Sequence, residues 1–112
     1  MKDSCILITG ATKGIGWALS QRLADAGCHV VGIARNTAEV DFPGYLYECD
    51  LSDAGQTEDV LRVIREKFPV DSIVNNVGSA ISQPLGAVDL SALFESFDLN
   101  VRTAVQVTQA FV

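Results

Sequence analysis

The stretch LITGATKGIGWAL, residues 7–19, decides how the rest of the chain is read. An apolar run meets three glycines and a lysine and leaves directly into a helical pattern. A turn that only reverses the chain needs one glycine or an Asn-Gly pair. Gly10, Gly14 and Gly16 fall within seven residues, so something has to come close to the backbone here. The N-terminus of a helix carries unpaired amides and about half a positive charge, a ready site for a diphosphate. On this reading Gly10 allows the tight turn and Gly14 lets a ligand approach without meeting a side chain. Gly16 lets the helix pack closely on the strand. A Walker A loop is excluded, because no Gly-Lys-Ser/Thr closes the turn. The order is G-x-x-x-G-x-G, where the usual dinucleotide fingerprint is G-x-G-x-x-G.

Composition sets the bounds around that turn. The 112 residues suit one small domain, spanning residues 1–112, and are 48% hydrophobic and 20% charged. Such a chain is neither disordered nor fibrous and can bury a core. A net charge of −6 argues against a nucleic-acid partner, which needs a basic face. A bound phosphate must therefore be held locally, by amides and one or two cations. The longest apolar runs fall far short of the roughly 18 residues that a membrane-spanning helix requires. Cys5, Cys28 and Cys49 lie in or beside strand-like stretches and read as buried thiols outside any disulfide, which fits a reducing cytoplasm. No cysteine pair has metal-ligand spacing and His29 is the only histidine, so no metal is expected.

Four short strands are predicted, at Cys5–Ile8, His29–Ala34, Tyr45–Cys49 and Ser72–Val74. They are apolar throughout rather than alternating, as expected of parallel strands covered by helices on both faces. The helix between the first two carries Ile15, Leu19 and Leu23 on its inward face and stops at Gly27. The helix between the third and fourth turns in Leu61, Ile64 and Phe68, with Ser52 as its cap and Pro69 as its end. The polar link RNTAEVDFPG is too short for a full helix and reads as a loop or single turn. A long helix is expected from about Ser91 to the last residue. Right-handed crossovers give an α/β fold, a Rossmann-like doubly wound parallel sheet in the order 3-2-1-4. Ligands bind such sheets at the carboxyl ends of the strands, where the strand order reverses. Both the glycine turn and the NNVG turn open there.

Four motifs make the chain recognisable. TGATKGIG at Thr9–Gly16 resembles the T-G-x-x-x-G-I-G cofactor motif of the short-chain dehydrogenase/reductase family. CDLSD at Cys49–Asp53 is similar to that family's segment after the third strand, whose Asp contacts the adenine. NNVG at Asn75–Gly78 resembles its N-N-A-G turn, with Val77 in place of alanine. DLNV at Asp98–Val101 resembles the segment that carries its active-site asparagine, here Asn100. Lys13 stands where the extended branch has its middle glycine, so the resemblance is to the single-domain branch. It implies a nicotinamide dinucleotide held by Thr9, Gly10, Thr12, Lys13, Gly14, Ile15 and Gly16 of the first turn. Arg35 and Asn36 follow strand two, Asp50 and Leu51 follow strand three, and Asn76, Val77 and Gly78 follow strand four. The resemblance gives Asn100 a catalytic part, in a helix that kinks and holds a water of the proton relay.

Charge chooses the nucleotide. An NAD-using enzyme holds the ribose hydroxyls with a carboxylate at the end of strand two. Here that position reads Ala34-Arg35. No carboxylate repels a 2′-phosphate, Arg35 can pair with it, and Lys13 can approach from the other side. The expected cofactor is NADP(H). Several residues also have plain structural readings. Thr9 reads equally as a buried hydrogen-bonding residue, Asp50 as a helix cap, Asn75 and Asn76 as turn residues, and Trp17 as packing. The GSAISQPL loop, with Ser79 and Gln83, reads either as pocket lining or as surface.

The family's acid/base is a tyrosine followed four residues later by a lysine, with a serine that orients the substrate oxygen. Tyr45 and Tyr47 are the only tyrosines, and neither has lysine at that spacing. The final helix pattern runs to Val112 with Val101, Val105, Ala110 and Phe111 short of sheet to cover. The chain is therefore expected to be the amino-terminal part of a longer reductase. That enzyme would act on a small-molecule carbonyl or alcohol, such as a 3-oxoacyl thioester. Through the carboxyl-terminal helix it would form a homo-oligomer, since in the family this helix packs on a neighbouring subunit. The rival expectation is a nucleotide-binding or interaction module without chemistry, the better description of these 112 residues by themselves.

Overall fold

The computed structural model describes residues 3–38, 40–77, 86 and 89–112. In chain order the elements are β1 (Cys5–Thr9), α1 (Gly14–Asp25), β2 (His29–Ala34), β3 (Tyr45–Glu48), α2 (Ala54–Lys67) and β4 (Ser72–Val74). They are followed by α3 (Leu90–Phe97), a π-helical turn (Asp98–Arg102) and α4 (Thr103–Ala110). The strands form one parallel sheet in the order β3-β2-β1-β4, as the sequence predicts.

β1 holds this sheet together. Leu7 stands in register with Val31 of β2 on one side and Ile73 of β4 on the other. Successive strand residues point to opposite faces, so β1 feeds two cores. Cys5 and Leu7 join Val31, Ile33, Leu61, Ile64 and Val107 on the face covered by α2 and α4. Ile6 and Ile8 join Ala11, Cys28 and Val30 on the face covered by α1, through Leu19, Leu23 and Ala24. A strand covered on both faces gains from apolar side chains at every position, hence the run without alternation. The link between β2 and β3 contains no helix among its described residues. Phe42 packs into the α1-side core from this link, covering part of the sheet in place of a helix.

The ends of the helices follow local chemistry. After α1, the Gly27 N–H donates to the Ala24 carbonyl and the Cys28 N–H to the Leu23 carbonyl, each at 3.0 Å, with Gly27 at φ +90°. This paired closure needs a left-handed residue after the helix, which glycine supplies. α2 ends where Phe68 turns extended (φ −130°, ψ 137°), the conformation that a following proline imposes.

Four expectations need correction. The cap of α2 is Asp53 rather than Ser52: its carboxylate accepts from the Gly55 and Gln56 amides at 3.0 and 3.1 Å. The Ser52 hydroxyl instead donates to Asp50 at 2.6 Å and so points away from the helix. Ile15 is 78% exposed and is not part of the inward face of α1, which is Gly16, Leu19, Ser20, Leu23 and Ala24. Ile15 stands in the first turn beside the exposed Lys13 and Gly14, and the turn's only buried contact is made by Gly16. The last helix is not continuous, because a π-turn interrupts it at Asp98–Arg102. Finally, Val107 is fully buried and Ala110 and Phe111 pack partly against the same core, so the end of α4 does cover sheet, whereas Val101 and Val105 stay exposed.

Candidate active site at the carboxyl edge of the sheet

The strand order reverses between β1 and β4, and the turns that follow these two strands are fastened together there. Thr9, the last residue of β1, is completely buried. Its hydroxyl oxygen accepts from the Asn76 and Val77 amides at 3.0 and 3.1 Å. Asn76 replies through its side chain, whose Nδ2 donates to the Gly10 carbonyl at 3.1 Å. Turn backbone that would otherwise lack partners in the sheet is satisfied in both directions.

The glycines have separate tasks. Gly10 turns the chain at φ +63° and Gly14 at φ +52°, conformations that side chains disfavour. A Cβ on Gly14 would meet nothing within 4 Å, so the turn is open at that point. A Cβ on Gly16 would lie 2.1 Å from the Gly10 carbonyl oxygen and 2.6 Å from Asn76 Nδ2. Gly16 thus lets α1 close onto the turn and the Asn76 side chain, a tighter contact than the helix-to-strand packing read from sequence.

The open N-terminus of α1 faces this edge. Lys13 is its cap residue and provides no side-chain hydrogen bond, and the first turn holds no acid. Asp53 and Asp89, by contrast, occupy the N-termini of α2 and α3. Thr12 is half-buried at the turn, while Lys13, Gly14 and Ile15 are exposed along it.

The other expected residues also reach this edge. Arg35 and Asn36 are exposed just past β2. Asn36 Oδ1 accepts from the Ala38 amide at 3.1 Å, which turns the chain away from the strand. Glu48, in register with Ala34, accepts from the Thr37 amide and hydroxyl at 3.4 and 3.2 Å. Asp50 follows β3 and accepts from the amide and hydroxyl of Ser52, which hold its carboxyl below the usual carboxylate range, with the Arg35 charge adding to the effect. Its ionised form therefore favours the folded state above the ordinary carboxylate pKa, and that contribution is lost as the pH falls through the lowered value. Leu51 buries its side chain in the core, which leaves only its backbone to face the site. Val77 is half-buried. Gly78, Ser79 and Gln83 lie outside the described residues.

Asn100 is exposed on the π-turn, and its Nδ2 donates to Ser96 Oγ at 3.1 Å. The turn is closed by the Thr103 amide donating to the Asp98 carbonyl, five residues back. Asn75 ties the β4 turn to α4, its Nδ2 donating to Thr108 Oγ1 at 3.3 Å. Tyr45 and Tyr47 stand on the outer strand β3, with ring centres 5.0 and 6.3 Å from Phe68. Burial pushes the Cys5 and Cys49 thiols up, so both stay protonated at neutral pH. A groove of about 330 Å³ lies between α2 and α4, lined by Leu61, Arg62, Arg65 and Gln106 among others, and includes none of the carboxyl-edge residues. Sequence reading missed the α4 contacts, although Asp98, Arg102 and Gln106 recur at the four-residue spacing of helix neighbours.

A parallel sheet with this strand order, a glycine turn into an open helix N-terminus and a second turn across the switch point defines the Rossmann-type dinucleotide-binding class. The short chain dehydrogenase family profile matches residues 4–112, and the chain belongs to that family. L-xylulose reductase of Mesocricetus auratus is 40% identical over 109 residues, covering 92% of this chain and 43% of that protein. The Homo sapiens L-xylulose reductase is 39% identical over 110 residues, covering 93% of this chain and 44% of that protein. The chain thus spans less than half the length of these two relatives. Among solved structures, a short-chain dehydrogenase/reductase from Serratia marcescens superposes with a TM-score of 0.87 at 21% identity. The superposition covers 98% of this chain and 50% of that one, and at this identity it speaks for the fold alone.

The lock between the two turns is directly testable. Thr9→Val preserves shape but leaves the Asn76 and Val77 amides without their acceptor, and is expected to cost about 2 kcal/mol in urea denaturation. Thr9→Ser should recover most of that loss. Equal midpoints for Thr9→Val and the parent would remove the lock from this account.

Proposed function

We propose that this chain is the cofactor-binding part of an NADP(H)-dependent reductase acting on a small carbonyl compound. The observation that carries the reading is the N-terminus of α1, which its cap residue Lys13 leaves without a side-chain hydrogen bond, at the same sheet edge as Arg35 past the end of β2. A diphosphate there accepts from the amides of the first helical turn, where Gly14 leaves room. The adenine end lies toward Asp50 and the backbone of Leu51. Asn76 and Val77 hold the opposite wall, with Gly78 following them. Thr9 serves this site from beneath, as the residue that fixes both turns. Arg35 pairs with the 2′-phosphate, and Glu48, engaged by Thr37, does not compete for it.

When bound, the nicotinamide supplies or accepts a hydride. This chain's part is to orient that ring, with Ile15 and Val77 as its apolar neighbours, and to hold at Asn100 a water that passes a proton. No Tyr-x-x-x-Lys occurs in residues 1–112, so these residues alone bind cofactor without turning substrate over. The relatives named for L-xylulose favour a small polyhydroxylated ketone over a 3-oxoacyl thioester as substrate. The buried thiols accord with a cytoplasmic protein.

A second copy of the chain is the proposed partner. Leu90, Leu93, Phe94, Phe97, Val101 and Val105 are all exposed and recur at three- and four-residue spacing along α3, the π-turn and α4. An apolar stripe of this length marks an interaction face.

Trp17, 40% exposed and one residue past the glycine turn, reports on binding through its fluorescence. Saturable quenching with a clear preference for NADPH over NADH is expected. Arg35→Ala should weaken NADPH by about tenfold or more while leaving NADH nearly unchanged. Equal parent affinities for the two cofactors would contradict the choice of NADP(H). For the partner, Phe94→Glu should lower the mass measured by light scattering to that of one chain. A parent that is already monomeric would overturn this part of the proposal.

A further inference from the structure

A π-turn places one extra residue in a helix. It costs hydrogen-bond geometry and persists where other contacts hold it. Removing the extra residue would rotate everything on one side of it by about 100° relative to the other. The turn at Asp98–Arg102 therefore sets the rotational phase between α3 and α4. The contacts that fix this phase converge on one side chain.

Arg102 closes the turn and reaches in three directions. Its Nε and Nη2 donate to Asp98 Oδ1 and Oδ2 at 3.2 and 2.9 Å, a two-point grip on the turn's first residue. Its Nη1 donates to Gln106 Oε1 at 2.7 Å, one turn into α4. Its Nη2 also donates to the Leu51 carbonyl at 2.8 Å, in the loop after β3. The neighbours complete the attachment. Thr103, fully buried, donates from Oγ1 to the same carbonyl at 3.3 Å, and Gln106 Nε2 donates to the Ala54 carbonyl at 3.0 Å. One guanidinium thus bridges the start of the π-turn, the helix beyond it and the loop that begins with Asp50.

We propose that Arg102 is a positioning residue, whose guanidinium locks the π-turn in register and so fixes the direction in which Asn100 is presented to the site. The inference rests on the cofactor reading for the role of Asn100, but the lock itself is a property of the folded chain. A planar group with several fixed donors suits the task. A lysine at the same place offers one point charge and cannot span Asp98, Gln106 and the Leu51 carbonyl together. The loop after β3 and the π-turn consequently move as one body, so the adenine end of the site and Asn100 keep a fixed separation.

The test is amide hydrogen exchange with NMR on the full natural chain, comparing the parent with Arg102→Met and Arg102→Lys. NADPH binding is measured in parallel through Trp17. Arg102→Met is expected to speed exchange of the Thr103 amide by about tenfold or more and to shift the Asn100 side-chain signals. The exchange of the Asn76 and Val77 amides, which Arg102 does not touch, should stay within about twofold of the parent. Arg102→Lys should behave like Arg102→Met, not like the parent. Thr103 exchange and Asn100 signals unchanged in Arg102→Met would overturn the proposal. Uniformly faster exchange across the sheet would also do so, since that marks general stability rather than a local lock. If Arg102→Met does not fold, Asp98→Ala and Gln106→Leu each remove one arm and should speed Thr103 exchange by a smaller factor, and no change in either overturns the lock. A parent that does not bind NADPH sinks the cofactor reading and leaves the exchange result to decide the lock separately.

Discussion

The Thr9 hydroxyl, accepting from the backbone of Asn76 and Val77, is the interaction on which the site depends. Parallel strands that are neighbours in a sheet need not be neighbours in sequence, and β1 and β4 are separated by three crossover connections. Their pairing is short, from Ile6↔Ser72 to Ile8↔Val74. Beyond it the sheet offers no further ladder to align the two turns. Thr9 extends the alignment by one residue with a side chain, and Asn76 returns a bond to Gly10. The close approach of Gly16 to that same carbonyl and side chain makes the arrangement three-sided. Strand, helix and far turn are thereby set against one another before any ligand arrives, and such preorganisation lowers the cost of binding.

α4 extends this frame to the other end of the site. Asn75 joins the β4 turn to Thr108, and Arg102, Thr103 and Gln106 join α4 to the carbonyls of Leu51 and Ala54. Arg102 and Thr103 meet a loop carbonyl, that of Leu51, which has no partner in the sheet, and Gln106 meets the first carbonyl of α2. The polar residues of α4 thus dock it on the loop after β3, the turn after β4 and the start of α2, while Val107 buries in the core between α2 and the sheet. The turns after β3 and β4 and the Asn100 turn are held by one helix.

The sheet and its order were legible because apolar runs, turn residues and crossover handedness each constrain topology independently. The Gly27 stop and the Pro69 end were legible for the same reason, since each rests on a single residue's backbone preference. Ser52 and Asp53 show where such reasoning weakens. Both are good cap residues, and only the third partner, Asp50, decides between them by engaging the Ser52 hydroxyl. Ile15 fits an apolar spacing, yet it is exposed, and spacing alone carries no information about where a helix meets its neighbour.

The π-turn was the least legible feature, because an inserted residue leaves a helical pattern almost unchanged over a short segment. The DLNV resemblance marked the place through a helix that kinks at Asn100, but the device that maintains the turn lay in Asp98, Arg102 and Gln106, side chains that a helical pattern leaves at its surface. At the glycine turn the residue types sufficed. Positive φ at Gly10 and Gly14 and the contact at Gly16 are each something that only glycine provides there. Amide hydrogen exchange with and without NADPH tests the central claim of a prebuilt dinucleotide site most directly. The Asn76 and Val77 amides are expected to be protected before the nucleotide is added, with new protection appearing at Gly14, Ile15 and Gly16. Free exchange at Asn76 and Val77 in the unliganded chain, or new protection confined to the groove between α2 and α4, would contradict it.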